Sequence, residues 1–274
     1  MGGLRVAYAG HDFFFSCLQQ VQKHKDVELV WCLTEAPDGL QPAESVRGLA
    51  EKAGARVHTG RPTKEMLEEF NGSDIDLLVC AAYMYKVPVN EMTVKWAVNV
   101  HPTLLPQGKG PNPLPYLVTD FPQLSGVSIH EMTEEMDSGP LLLQTPIPLD
   151  EGDGLDEFYL KLLAASARLL KEFLTDVKGY FARKTVSGEG SYWPEKTDEQ
   201  RTVVAAVATA SEVRAFHSEF GMFGFLLRLA DGTTREVKNL KVSTCEHDYR
   251  PGTVVGELSS GTVVAVSDGL LRFF

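Results

Sequence analysis

The feature that most constrains the fold is an alternation repeated through the first hundred residues. Short apolar runs of Leu4 to Ala9 (LRVAYA), Val27 to Thr34 (VELVWCLT), Asp76 to Ala82 (DLLVCAA) and Ala97 to His101 (AVNVH) are separated by stretches of helical character. Those stretches are Phe13 to His24, Glu44 to Ala53 and Thr63 to Phe70, with a further short strand at Arg56 to His58. A near-continuous apolar run suits a strand buried on both faces, and strands that alternate with helices imply a parallel sheet. The expected fold is therefore α/β and Rossmann-like. No GxGxxG follows Gly10-His11-Asp12, so a dinucleotide fingerprint is absent.

Ser125 to Met132 and Pro140 to Ile147 read as later strands. Leu155 to Thr175 reads as a helix, because Phe158, Leu162, Leu163, Leu169, Leu170 and Phe173 recur at near-helical spacing. The character changes near residue 185, which gives a first domain over 1–184. Residues 185–203 hold Gly, Ser, Pro and charges without periodicity and read as a linker. Residues 204–274 form a small β domain. Its runs are Gly224 to Leu229, Glu236 to Val242, Gly252 to Leu258, Val263 to Val266 and Leu270 to Phe274, with Asp-Gly and Ser-Gly turns between them and a helix over Ala205 to His217.

Lys and Arg number 26 against 37 Asp and Glu, a formal net charge of −11. Such a surface repels phosphate backbones and anionic lipid, which disfavours nucleic acid as a partner. The densest basic sets, Lys178, Arg183 and Lys184, then Arg235, Lys238 and Lys241, are sparse. The four cysteines show no CxxC spacing, so neither a zinc site nor a redox motif is expected. Met1 to Gly10 lacks a signal pattern and no apolar run is long enough for a membrane span, so the expected compartment is the cytoplasm.

The chemistry concentrates in two windows. In VNVHPTLLPQGKGPNP a strand runs into a Pro- and Gly-rich loop, and Asn99 and His101, two apart, share one face of that strand. Sites in open α/β sheets gather beyond the carboxyl ends of strands. A neutral imidazole can relay a proton while a carboxamide donates to a developing oxyanion. In GVSIHEMTEEMDSGP, Asp137 sits in a turn from which a carboxylate can fix the imidazole tautomer. Bland readings stand beside these. Asn99 and His101 also suit a satisfied strand end and Asp137 a turn former. His130 either faces the site or, more simply, is structural, and Tyr83, Met84 and Tyr85 either fill a core or wall a pocket for a flat ring.

These windows resemble the Asn-x-His…Leu-Leu-Pro and Gly-Val-Thr-x-His…Asp-Thr-Gly segments of folate-dependent formyltransferases, and AYMYKVP resembles that family's Ala-Tyr-Gly-x-x-x-Pro segment. VRAFHSEFGMFGF and PGTVVGELSSGTVVAVSDGLLRF are similar to the C-terminal OB-like domain of methionyl-tRNA formyltransferase and its sugar-modifying relatives. The resemblance implies a donor, 10-formyltetrahydrofolate, and no metal. It implies that Asn99 bonds the formyl oxygen, His101 shuttles a proton and Asp137 orients His101. It places the pterin against Tyr83, Met84, Tyr85 and Val87 and the loop of Asp150, Gly152 and Asp153. Thr103 stands where Ser is usual and Lys109 where Arg is common, which removes a bidentate contact to an acid or phosphate. His217 to Gly221 lacks the family's Pro-Trp-Pro run.

The tRNA enzymes carry a basic insertion after the second strand. Here Thr34 to Ala50 holds only Arg47 against Glu35, Asp38 and Glu44, and the chain ends at Phe274, so a short C-terminal domain is expected. The expected acceptor is a small-molecule amine, either an amino sugar nucleotide or a hydroxyornithine-like amino acid. Methionyl-tRNA is the alternative, and formyltetrahydrofolate hydrolysis or simple folate binding is the third reading.

Overall fold

The computed structural model describes residues 3–35 and 44–274, the side chain of Glu44 excepted. Asp38, one of the acids set against Arg47 above, lies outside the described residues. The chain divides into two compact units, one of residues 1–113, 123–148 and 160–193, the other of residues 114–122, 149–159 and 194–274.

The first unit is built on a seven-stranded sheet in the order β3-β2-β1-β4-β5-β6-β7. In chain order its elements are β1 (Leu4–Gly10), α1 (Phe15–Lys23), β2 (Val27–Thr34), α2 (Glu44–Lys52), β3 (Arg56–Thr59), α3 (Lys64–Asn71), β4 (Leu77–Ala81) and β5 (Trp96–His101). The strands β1 to β5 pair in parallel. All five residues of β4 are buried, as a parallel strand covered on both faces requires. The sheet runs outward from β1 through β2 to β3, then restarts at β4 on the other side of β1. That reversal is the switch point of a doubly wound sheet.

After α4 (Leu114–Thr119), which belongs to the second unit, the chain returns as β6 (Gly126–Glu131) and β7 (Leu141–Pro146). Both pair antiparallel, β6 on β5 and β7 on β6. The register sets Asn99 opposite His130 and His101 opposite Ser128. Because side chains alternate along a strand, these four residues share one face. The helix α5 (Leu155–Thr175) has the bounds expected from its apolar spacing, and a short α6 (Val177–Ala182), capped by the Asp176 carboxylate on Gly179 N–H, follows.

The stretch 185–203 carries paired backbone at both ends. Thr185 bridges to Leu141 and Tyr192 to Lys109, while β8 (Thr202–Val204) joins a small sheet. In the second unit, α7 (Ala210–Phe220) opens on a capping box of Thr209 and Glu212. There follow β9 (Phe225–Arg228), β10 (Thr234–Val237), β11 (Leu240–Thr244), β12 (Val254–Leu258), β13 (Gly261–Val266) and β14 (Gly269–Phe273). The run read as one strand over Glu236 to Val242 is broken at Lys238 and Asn239: β10 pairs with β9, and β11 with β14 in another sheet. Both sheets cover one core, with Phe225, Leu227 and Val237 from one and Val264, Val266 and Leu271 from the other. The first unit keeps Cys32 and Cys80 buried in β2 and β4, and burial pushes both thiols up to about 12, so they serve as small apolar fillers. Among the described residues, no helix is long and apolar enough to cross a membrane.

Leu78 is fully buried in the central strand. Leu78→Ala should cost about 3 kcal/mol, the middle of the range for core leucines, read as a lower midpoint in thermal or denaturant unfolding. A midpoint unchanged by this substitution contradicts the packing described.

Candidate active site

At the end of β5 the chain enters the loop 102–113 and turns through a cis Leu105–Pro106 peptide. The sequence pins this loop from several directions. Thr103 Oγ1 donates to the Gln107 carbonyl at 2.8 Å, so the hydroxyl kept by Thr in place of Ser is in use. Ser128 Oγ donates to the Thr103 carbonyl and accepts Leu105 N–H, and Gln144 Nε2 donates to the Leu105 carbonyl.

A second set of bonds comes from residues 191–193. Gly108 N–H donates to Ser191 Oγ, Lys109 N–H to the Ser191 carbonyl, and Trp193 N–H to the Lys109 carbonyl. Ser191 N–H in turn donates to Gln107 Oε1. Gly108 and Gly110 both have positive φ, and a Cβ at Gly110 would lie 2.3 Å from the Trp193 carbonyl oxygen. Only glycine permits this close approach. The sequence does not reveal the clamp, because it joins groups more than eighty positions apart.

The three side chains expected to carry the chemistry are brought together. Asp137 sits in the turn after β6 with φ 51°, in the left-handed region that Asp tolerates better than most residues. Its Oδ1 accepts Asn99 Nδ2 at 3.2 Å and its Oδ2 accepts Gly110 N–H at 3.0 Å. His101 Nδ1 lies 3.5 Å from Oδ1, and His130 Nε2 lies 3.4 Å from the same oxygen. Side chains of His101, Asp137 and His130 are 5, 5 and 2% exposed, so the cluster is shielded from bulk water. His130, which read more simply as structural, therefore faces the site, a placement that only the β5–β6 register reveals.

His101 Nε2 lies 2.8 Å from the Gly108 carbonyl oxygen. A carbonyl only accepts, so Nε2 carries the hydrogen in the neutral ring and Nδ1 presents a lone pair toward Asp137. Burial, opposed in part by Asp137 and the Gly108 bond, holds the His101 imidazole below the usual histidine range. Burial alone would raise Asp137, but His101, His130 and Gly110 N–H outweigh it and hold the carboxyl well below the usual carboxylate range. The site thus pairs an ionised carboxylate with a neutral imidazole base. Asn99 is half-buried, with one amide hydrogen on Asp137 and, among the described residues, no other side-chain hydrogen bond. Its second N–H and its carbonyl are left for a ligand.

Beyond β4, the Tyr83 and Tyr85 rings meet edge-on at 5.6 Å, Met84 is 76% exposed and Val87 is buried. Tyr83 Oη donates to the Gly60 carbonyl, Met84 N–H to Glu35 Oε1, and Arg61 stacks 4.9 Å above Tyr85. Asp150, Gly152 and Asp153 belong to the second unit. There Asp150 N–H donates to Asp153 Oδ2, and Gly152 turns the chain at φ 90°. Lys109 Nζ donates to Ser138 Oγ at 3.0 Å, beside Asp137.

The chain is similar to known proteins over most of its length. The formyl transferase family matches residues 10–174. A methionyl-tRNA formyltransferase of Pseudothermotoga lettingae is 26% identical over 219 residues, 77% of this chain and 70% of the relative. The fold matches HypX from Aquifex aeolicus, whose structure holds tetrahydrofolic acid, with TM-score 0.72 and 17% identity over 99% of this chain; the chain spans 44% of HypX. It also matches a sugar N-formyltransferase of a Shewanella species, with TM-score 0.65 and 19% identity over 86% of this chain and 97% of that one.

Gly139 packs so tightly that a Cβ would lie 1.8 Å from the Glu131 carbonyl oxygen. Gly139→Ala should therefore displace the turn that carries Asp137. The expected result is at least about tenfold lower turnover, since small misplacements of catalytic groups cost that much or more. Wild-type turnover in this variant, measured in the assay set out below, contradicts the fixed turn.

Proposed function

Because the chain belongs to the formyl transferase family, we propose that it moves a formyl group from 10-formyltetrahydrofolate to a small amine, with Asn99, His101 and Asp137 at the reacting atoms. The observation that carries the proposal is the convergence of a carboxamide and a neutral imidazole on one buried, ionised carboxylate.

The residues present fit a folate donor. Tyr83, Tyr85 and the exposed Met84 offer a flat apolar wall, the surroundings a pterin ring needs. The loop of Asp150, Gly152 and Asp153 is assigned to the same ligand by the resemblance noted above. The donor supplies the formyl carbon and the nitrogen that leaves. The second Asn99 N–H bonds the carbonyl oxygen as negative charge grows there, while Asp137 holds the other N–H and so fixes the amide plane. His101 Nδ1 takes the proton that the acceptor amine loses as its new C–N bond forms. It gives that proton to the leaving nitrogen as the old C–N bond breaks, so the ring ends as it began. Asp137 stabilises the imidazolium during the interval, and the Gly108 carbonyl keeps the ring from turning.

Two kinetic outcomes follow. His101→Ala should lower turnover by at least about a hundredfold, the usual scale for a lost acid–base group. Turnover close to wild type removes His101 from the mechanism. The pH profile carries a sign. The base must be neutral, and burial keeps it neutral below the ordinary histidine value of about 6.5. The acid limb of kcat should therefore fall below pH 6.5, and a limb centred above it contradicts the site's electrostatics.

The acceptor reading rests on charge. Of the candidate bases, Lys184 pairs with Glu131, Arg183 with Asp176 and Lys238 with Glu236, and Arg47 pairs with Glu51. A surface so balanced, on a chain of net charge −11, gives little attraction to a polyphosphate backbone. Methionyl-tRNA, the acceptor named for the relatives by sequence, is the competing choice. Offering the enzyme charged initiator tRNA and, separately, nucleotide-linked amino sugars and hydroxyornithine decides between them. We expect formylation in the small-amine arm. Efficient formylation of tRNA at physiological salt overturns the small-amine reading, and formate release without any added amine points to hydrolysis.

A further inference from the structure

The transfer step above leaves His130 unused, although it is the most deeply buried ionisable side chain of the cluster. Its Nδ1 lies 2.9 Å from the Glu131 carbonyl oxygen, so Nδ1 carries a hydrogen. Its Nε2 is sealed from solvent, has no hydrogen-bond partner among the described residues, and lies 3.4 Å from Asp137 Oδ1. A bare Nε2 would aim its lone pair at an ionised oxygen in a buried site. A proton on Nε2 replaces that repulsion with a charge pair, which low-dielectric surroundings strengthen.

His101 presents Nδ1 to the same oxygen at 3.5 Å, with its own Nε2 hydrogen committed to Gly108. Two imidazoles thus face one carboxylate oxygen, and one proton neutralises its charge. The two are not equivalent. The amine substrate brings a proton to His101 in each turnover, whereas no donor among the described residues bonds His130 Nε2. We propose that His130 is a positioning residue that holds the resident proton as an imidazolium paired with Asp137, which leaves His101 free as the base.

The surroundings agree with this assignment. From β5, Asn99 lies opposite His130 in register and the His101 ring stands edge-on at 6.4 Å. From β7 the register partner is the apolar Leu141. On β6 itself the Glu131 carboxylate is taken by Lys184. Cys80, on β4 and near Asp137, stays a neutral thiol because burial pushes it up to about 12. Among the described residues, Asp137 is therefore the one anion that faces His130. With His130 charged, the Asp137 field that would draw a second proton to His101 is compensated.

Two measurements test this, and the first does not depend on the formyl-transfer reading. In wild-type enzyme labelled with 15N-histidine, NMR at pH 7 should show His130 with both ring nitrogens protonated and His101 as the neutral Nε2–H tautomer. A neutral His130 ring at pH 7 overturns the proposal. In the second, His130→Gln removes the charge. Protonation of His101 beside an uncompensated Asp137 becomes easier, so the acid limb of kcat should move up by about one pH unit, a tenfold change in the fraction protonated. Turnover should recover at high pH and KM for the amine should hold. An acid limb that stays in place, with turnover lowered equally at all pH values, shows a merely structural histidine and overturns the proposal. If the variant does not fold, the wild-type spectrum alone decides. Absence of any formyl transfer by wild-type enzyme counts against the function proposed above and leaves the spectrum as the test of His130.

Discussion

Two carboxylate oxygens of one aspartate hold the site in register. Asn99 reaches Asp137 Oδ1 from the middle of β5, Gly110 N–H reaches Oδ2 from the loop beyond it, and His101 and His130 face Oδ1 from adjacent strands. A buried ionised carboxylate is costly unless it is satisfied on most sides. Here that requirement works as a constraint: the anion is stable only where the amide, the backbone N–H and an imidazole converge. The same demand positions the groups proposed to carry formyl transfer. Removing any one donor exposes the charge to the others, so effects within the cluster should be strongly non-additive.

The sheet supplies the convergence through geometry that side chains alone could not maintain. Antiparallel pairing of β6 on β5 places Asn99 opposite His130, and the turn after β6 returns Asp137 over the same face. The loop after β5 is then held from two sides. Ser128 and Gln144 fix its first half, and Ser191 and Trp193 fix its second. The second clamp matters for chemistry because it seats Gly108, and the Gly108 carbonyl selects the His101 tautomer. Around the carboxylate, positive φ falls on Asp137, Gly108 and Gly110, where the residue types tolerate it.

The parts of this arrangement that the sequence made legible are those with local signatures. The runs LRVAYA and DLLVCAA announce strands buried on both faces, and the Asn99–His101 spacing announces two side chains on one face of a strand. The roles proposed for those side chains come from family resemblance, since spacing alone favours a satisfied strand end. What stayed hidden depends on pairing across the chain. The clamp from residues 191–193 uses backbone groups in a stretch whose composition reads as a linker. The break at Lys238 and Asn239 hides inside a run of uniform β character, because only sheet pairing distinguishes one strand from two. His130 looked structural because its importance lies in what faces it, which register alone decides.

The central claim is that the negative charge of Asp137, and not only its place in the turn, organises catalysis. Asp137→Asn tests it most directly. Asn keeps the size of the side chain, tolerates the left-handed backbone and can still accept Gly110 N–H, but it removes the charge. Formyl transfer from 10-formyltetrahydrofolate to the preferred amine should fall by at least about a hundredfold in kcat, with folate binding measured by calorimetry unchanged. Near-normal kcat in a folded Asp137→Asn enzyme contradicts the account.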